Sequence, residues 1–318
     1  MANNTTSFVS EFVLQCEIKP ELKNLVATLL SLIYFVTLFG NFVVILVIRM
    51  NHQLQTPMYL CIGALAVLDL INSTNVVPTM VGVLLNFVNV PRVPCFMQMF
   101  MICYLEVLES LLFAFMACDR YIAVLYPLQY PSLVTNKIVC LTLLLFIIST
   151  GLCYVPINMV FVNDLSFCET NVLHYCFCEY GSVLNISCYQ NPLFLTFLAI
   201  TTSLFAVLPV AIILFSYFRI AHAALNISSA NGKSKVLSTC LTHLLVMLLF
   251  YIPIIISYIL TGVNVSLSRE AYNIMVVIST VVPPMMNPII YSFRNREIKS
   301  TIYKTVNGVL AFFTSSSR

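Results

Sequence analysis

Residues 25–48 read LVATLLSLIYFVTLFGNFVVILVI, 24 positions without an Asp, Glu, Lys or Arg. A helix rises about 1.5 Å per residue, so about 20 apolar residues cross the hydrocarbon of a bilayer. This stretch meets that length. Six more follow it, at 57–83, 95–119, 138–161, 191–218, 236–261 and 271–293. Five of the seven carry no charged residue; the second holds Asp69, and the third holds Glu106, Glu109 and Asp119. The expected fold is an all-α membrane protein, a seven-transmembrane helix bundle. An odd number of crossings places the termini on opposite faces, which favours functions that pass a message or a solute through the membrane.

Composition supports this. The chain is 60% hydrophobic and 8% charged over 318 residues, whereas a soluble domain carries about a quarter of its residues as charges. The net charge of +3 does not point to nucleic acid. Its distribution is more informative. Arg49, Arg120, Lys137, Arg219, Lys233 and Lys235 fall on one side with the tail residues Arg294, Arg296, Lys299, Lys304 and Arg318. Acidic residues are concentrated on the other side. The positive-inside rule places the C-terminus in the cytoplasm and the N-terminus outside, in the plasma membrane. The sequons at Asn3, Asn4, Asn185 and Asn264 all fall on the proposed outer face. The chain divides into an outer segment 1–24, a membrane bundle 25–293 and a cytoplasmic tail 294–318. In the tail Ile298, Ile302 and Val306 recur every fourth residue, as in an amphipathic helix on the inner leaflet. There is no basic start followed by a short apolar core, so no cleavable signal peptide is expected.

Cys95, Cys168, Cys176, Cys178 and Cys188 fall at the outer face, where disulfides persist. One bridge from Cys95 to the long loop before the fifth span is expected, and one within that loop. A zinc or copper site in the run His174–Glu179 is the disfavoured alternative.

Charges at membrane depth are costly and mark functional candidates. Asp69 lies 12 residues past Pro57, roughly 18 Å along a helix, and Glu109 lies 10 residues before Asp119, roughly 15 Å from the inner end. The two carboxylates therefore share a depth. Either they form a polar seam with Asn41, Ser279 and Asn287, or they hold a sodium ion. Glu106, one turn above Glu109, either attracts a cationic ligand or is protonated and bonded to a hydroxyl. Asp119-Arg120-Tyr121 closes the third span. Arg120 can reach back to Asp119 or across to other helices, as a switch requires. Pro209, Pro253 and Pro288 sit inside spans and kink them.

These features resemble the rhodopsin-like G-protein-coupled receptors. Asn287-Pro288-Ile289-Ile290-Tyr291, Gly40-Asn41, Leu65–Asp69, the Asp-Arg-Tyr triplet, Pro209 with Tyr217, and Phe250–Pro253 occur in that family's order. A narrower set resembles vertebrate olfactory receptors: Thr56–Tyr59, Met116–Tyr121, Pro127–Tyr130, Ser238–Leu244 and Pro284–Asn295. Val282-Pro283-Pro284 looks like the fish-type (class I) branch. Cys118, Gln55 and Val236-Leu237 depart from the usual mammalian pattern. The resemblance implies an odorant as ligand and a heterotrimeric G protein of the Gs/olfactory type as partner. It also implies a location in the cilia of olfactory sensory neurons. The sequence has no Gly-x-Ser-x-Gly elbow, His-Glu-x-x-His helix or phosphate loop, so no enzymatic activity is expected, and no cofactor beyond the sodium ion of the alternative above. The resemblance implies pairing of Cys95 with Cys178 and of Cys168 with Cys188, with Cys176 unassigned.

Helical spacing nominates ligand contacts at Ile102, Cys103, Glu106, Thr201, Phe205, Tyr251, Ile255, Tyr258, Val277 and Thr280; ordinary helix packing is the alternative at each. Tyr251 is the candidate lever at the pocket floor. Outward motion of the sixth helix would free Arg120 and open a cleft lined by Tyr217, Lys235 and His243. A non-olfactory receptor of the rhodopsin-like class is the alternative, and a secondary transporter the more distant one. No internal repeat supports the transporter.

Overall fold

A computed structural model describes residues 9–163, 165–167, 170–189, 193, 196, 197, 200, 201, 203–226, 240–253, 255, 256, 268–295 and 297–303. Six described helices are long and apolar enough to cross a membrane. They are α1 Pro20–Met50, α2 Pro57–Leu84, α3 Arg92–Leu125, α4 Asn136–Val162, α5 Ser203–Leu225 and α7 Arg269–Arg294. The shorter apolar helix α6, Cys240–Pro253, lies between α5 and α7. A last helix, α8, covers 297–303.

The helices outrun the apolar stretches because their ends are defined by caps rather than by hydropathy. Pro20 and Pro57 occupy first-turn positions, where a missing N–H costs nothing. Thr135 and Ser268 accept hydrogen bonds from Ile138 N and Ala271 N to start α4 and α7. Pro209 follows a π-turn at Ser203–Val207, and a second π-turn at Thr150–Tyr154 interrupts α4. Such turns absorb a local mismatch in the i→i−4 ladder.

α3 is the axis of the bundle. Two thirds of its apolar window is buried (67%), against 12% for α4. α4 therefore lies at the periphery. α1 packs on α2 and α7 and presents Leu32, Phe35, Phe39, Phe42 and Leu46 outward, each at least 40% exposed. An apolar stripe of that width on a helix face requires lipid as its solvent.

A small sheet caps one end. β1 (Glu11–Leu14) pairs antiparallel with β2 (Asn89–Pro91) and parallel with β4 (Val172–Leu173), so β1 is central. β3 (Ser166–Phe167) pairs with β5 (Ser187–Tyr189). Phe12 and Leu14, alternating along β1, are completely buried. The segment 1–24, expected only as an outer tail, thus contributes a strand to the core at this end.

The tail helix also differs from expectation. Ile298 is fully buried and Ile302 packs beside it against the α1–α2–α7 core. Tyr59 donates to Asn295 Oδ1 (3.2 Å) and to Glu297, and Asn51 Nδ2 donates to Thr301 Oγ1 (2.9 Å). The apolar side that periodicity assigned to the leaflet is turned, at Ile298 and Ile302, towards protein. Val306 lies outside the described residues.

Candidate functional site

The cap is held by two disulfides, Cys95–Cys178 and Cys16–Cys176. The first joins the outer loop to the start of α3. The second ties the N-terminal segment to the same loop and gives Cys176 its partner. Cys188 is disulfide-bonded as well; Cys168 lies outside the described residues. Gln98 reinforces the junction. Its Oε1 accepts from Cys178 N (3.0 Å), and its Nε2 donates to Asn75 O (2.7 Å) and Thr79 Oγ1 (2.8 Å). Arg92 lies over the rings of Phe96 and Phe167 at 5.1 and 5.7 Å. Gln98 and Cys16 were missed in the sequence reading because each has meaning only with a partner distant in the chain. Asn185 ends a short helix, Tyr180–Asn185, within this loop; Asn3, Asn4 and Asn264 lie outside the described residues.

Beneath the cap, Glu106 on α3 is exposed, while Ile102, Leu105, Val107 and Glu109 beside it on the helix are buried, so its carboxyl stands at an opening among buried side chains. Cys103, one turn above, is partly accessible in the same way. Glu179, on the outer loop, is close enough for its charge to act on both. Burial pushes the Glu179 carboxyl up, and hydrogen bonds from the N–H groups of Gly181 and Ser182 offset part of that rise. Ile102 and Val277 belong to the apolar cluster that continues into the cap. Phe205 of α5 meets Tyr154 of α4 edge-on at 5.6 Å. Ser110 Oγ donates to Phe205 O (2.7 Å) and shares a 2.8 Å hydrogen bond with Tyr251 OH, joining α3, α5 and α6 at one point. Thr201 and Thr280 donate to carbonyls one turn back, Phe197 O and Val276 O. Ile255 is 44% exposed. Tyr258 lies outside the described residues.

At mid-depth Asn287 Nδ2 donates to both oxygens of Asp69, at 3.0 and 3.2 Å. Glu109 is buried near enough for charge repulsion with Asp69, and its Oε1 has no hydrogen-bond partner among the described residues. Asn41 donates to Thr37 O and Pro284 O, both at 3.0 Å, and so links α1 to α7 rather than to Asp69. Ser279 bonds back to Val276 O (2.8 Å) and is not part of the seam. Its hydroxyl finds a carbonyl in its own helix, as a serine within a helix commonly does.

At the inner end Arg120 Nε donates to Asp119 Oδ2 (2.8 Å), as does its Nη2, and Tyr130 OH donates to Asp119 Oδ1 (2.8 Å). Of the two partners open to Arg120, the one adopted is its neighbour. Burial pushes the Tyr130 phenol up, and the Asp119 charge adds to the rise. The charge of Arg120 reaches Tyr217, Cys240 and His243. Tyr217 OH, His243 Nδ1 and Tyr291 OH are buried without a hydrogen-bond partner among the described residues, and the rings of His243 and Tyr291 lie 5.9 Å apart. Tyr121 is in ring contact with Tyr126 and Phe215, at 6.1 and 6.2 Å. Pro288 touches α1 at Gly40, where an added Cβ would lie 2.9 Å from its Cγ. Lys235 lies outside the described residues. Among the described residues no group of three or more metal-ligating side chains is found.

This arrangement has an accessible carboxylate beneath a disulfide-held cap at one end, a buried acid pair in the middle and a tethered arginine at the other. A family model described as olfactory receptor matches residues 30–308. The chain belongs to the olfactory receptor family. It is 34% identical to olfactory receptor 1E1 of Pan troglodytes over 317 residues, 99% of each chain. It is 36% identical to olfactory receptor 10A5 of Homo sapiens over 314 residues, 98% of each. It is 34% identical to olfactory receptor 1 of Rattus norvegicus over 305 residues, 95% of this chain and 96% of the relative. The receptor is thus a multi-pass membrane protein of a signalling family rather than an enzyme family.

Proposed function

We propose that the receptor binds a small odorant in the cavity beneath the cap and, in response, activates a heterotrimeric G protein of the Gs/olfactory type at its other end. Cys103, Glu106, Phe205 and Tyr251 are the contacts best supported, since they surround the accessible carboxylate or its polar floor. Ile102, Val277, Thr201, Thr280 and Ile255 supply the surrounding apolar and hydroxyl surface, and Tyr258 is kept with them on spacing alone.

The observation that carries this reading is the contrast at the inner end. Arg120 is tethered to Asp119, while Tyr217, Tyr291 and His243 around it hold atoms without a hydrogen-bond partner among the described residues. An unmade buried hydrogen bond costs about 1–3 kcal/mol. A second arrangement that satisfies these groups is therefore within reach of a ligand's differential binding energy. Tyr251 stands between the two ends, hydrogen-bonded to Ser110 and in ring contact with Phe113 and Phe250.

An orientation belongs to the same proposal. The disulfides gather at the cap, which is the face suited to an oxidising exterior. Basic residues gather at the opposite end, which suits the cytoplasm. Both support a reading with the N-terminus outside and the C-terminus in the cytoplasm, and membership of the olfactory receptor family supports the plasma membrane of olfactory cilia as the setting. The sequons at Asn3, Asn4, Asn185 and Asn264 then lie where glycans are added.

Asp69 and Glu109 would hold a sodium ion. The residues fit, because two buried carboxylates lie near each other, Glu109 Oε1 has no partner among the described residues, and no Lys or Arg of the described helices stands at their depth. A bound monovalent cation would offset their repulsion.

The test is second-messenger output in cells expressing the receptor, challenged with an odorant panel. Wild type should respond to at least one odorant. Arg120→Ala should reach the surface and lose the response. A fully active Arg120→Ala variant, or ligand uptake without signalling, would overturn the proposal.

A further inference from the structure

The accessible carboxylate of Glu106 has an acid, Glu179, as its charged neighbour across the cavity. Glu179 is partly committed elsewhere, since its Oε2 accepts from Ser182 N at 2.8 Å and caps the short helix of the loop. Below Glu106, on the same face of α3, Glu109 is 5% exposed, feels the Glu106 charge, and leaves Oε1 without a partner among the described residues. Cations in the described helices lie at the ends. Arg92 sits above, against Phe96 and Phe167, and Arg120 sits below on Asp119. Lys23, Arg49, Lys137, Arg219 and His222 likewise occupy helix ends. Glu106 thus stands with a second acid from another element, Glu179, as its neighbour, and no Lys or Arg of the described helices lies at its depth.

We propose that this cavity selects a protonated alkylamine, with Glu106 as its counter-ion. The inference rests on the receptor reading above and names the ligand class of that site. In a low-dielectric enclosure a neutral ligand leaves the acids uncompensated, and an anion adds a further like charge. An ammonium group satisfies Glu106 through a charge-assisted hydrogen bond and lies in the field of Glu179. Its alkyl chain needs only the apolar surface that Cys103, Ile102 and Phe205 provide.

The experiment uses the full chain and matched n-alkylamines, n-alkanols and n-alkanoic acids of equal chain length. Two readouts are taken, second-messenger output in cells and thermal unfolding of the purified receptor. The amines should be the most potent class and should raise the unfolding temperature. Glu106→Gln should weaken both amine effects by about tenfold or more, the loss expected for one charge-assisted contact. Glu106→Asp, which keeps the charge, should retain amine preference at reduced potency. If Glu106→Gln does not fold, Glu106→Asp and the wild-type class ranking decide. Wild type responding to alcohols or acids in preference to amines would overturn the inference and leave the receptor reading intact. So would unchanged amine potency in Glu106→Gln. Amine stabilisation that depends on Glu106 with no signalling from any ligand would do the reverse.

Discussion

Asp119 accepts from both Arg120 and Tyr130, so its hold on Arg120 depends on a residue 11 positions away. Tyr130→Phe removes one hydrogen bond worth about 1 kcal/mol. Ligand-independent nucleotide exchange should rise by about fivefold at most, the Boltzmann factor of that energy. An unchanged or lower basal rate would show that Tyr130 does not restrain the pair. Gly40 makes a different residue-scale prediction. An added methyl would sit 2.9 Å from Pro288 Cγ and 3.2 Å from its Cβ. Gly40→Ala should therefore separate α1 from α7 and cost about 1–3 kcal/mol, read as a lower unfolding temperature. At this scale legibility followed sequence distance. The Asp119–Arg120 contact was readable because the two are neighbours, and Asp69 because a charge in an apolar run stands out. Tyr130 and Ser110 were not, since an ordinary Tyr or Ser gives no sign of which distant atom it will meet.

The element most at odds with a sequence reading is β1. Four residues are too few for alternation to rise above chance, yet Phe12 and Leu14 are wholly buried and Cys16 is bonded to Cys176, 160 residues away. Cys16→Ser should loosen this strand from the cap. The expected loss is about 2–4 kcal/mol of stability, seen as a lower unfolding temperature together with new thiol labelling at Cys176. Labelling that stays at the wild-type level would argue against the bridge. α8 carries the same lesson in reverse. Its four-residue period was visible, but periodicity does not say whether an apolar face meets lipid or protein, and Ile298 meets protein.

The membrane architecture of the whole molecule was legible because hydrocarbon thickness imposes a length that few other constraints mimic. Helical spacing nominated Glu106 and Cys103 on α3, but not Glu179 as their neighbour, because that depends on how the outer loop folds over α3. The acid pair at mid-depth gives a prediction that belongs to the bundle as a whole. Replacing potassium by sodium should lower basal nucleotide exchange in wild type and have no effect in Asp69→Asn or Glu109→Gln; equal sodium sensitivity in all three would exclude that site. The central claim is that a ligand at the capped end changes what the other end does. Its most direct test is nucleotide exchange on a purified heterotrimeric G protein, with the receptor reconstituted in lipid. A ligand that raises the receptor's unfolding temperature should accelerate exchange in wild type and not in Arg120→Ala; a ligand that stabilises wild type while exchange stays at its unliganded rate would contradict the account.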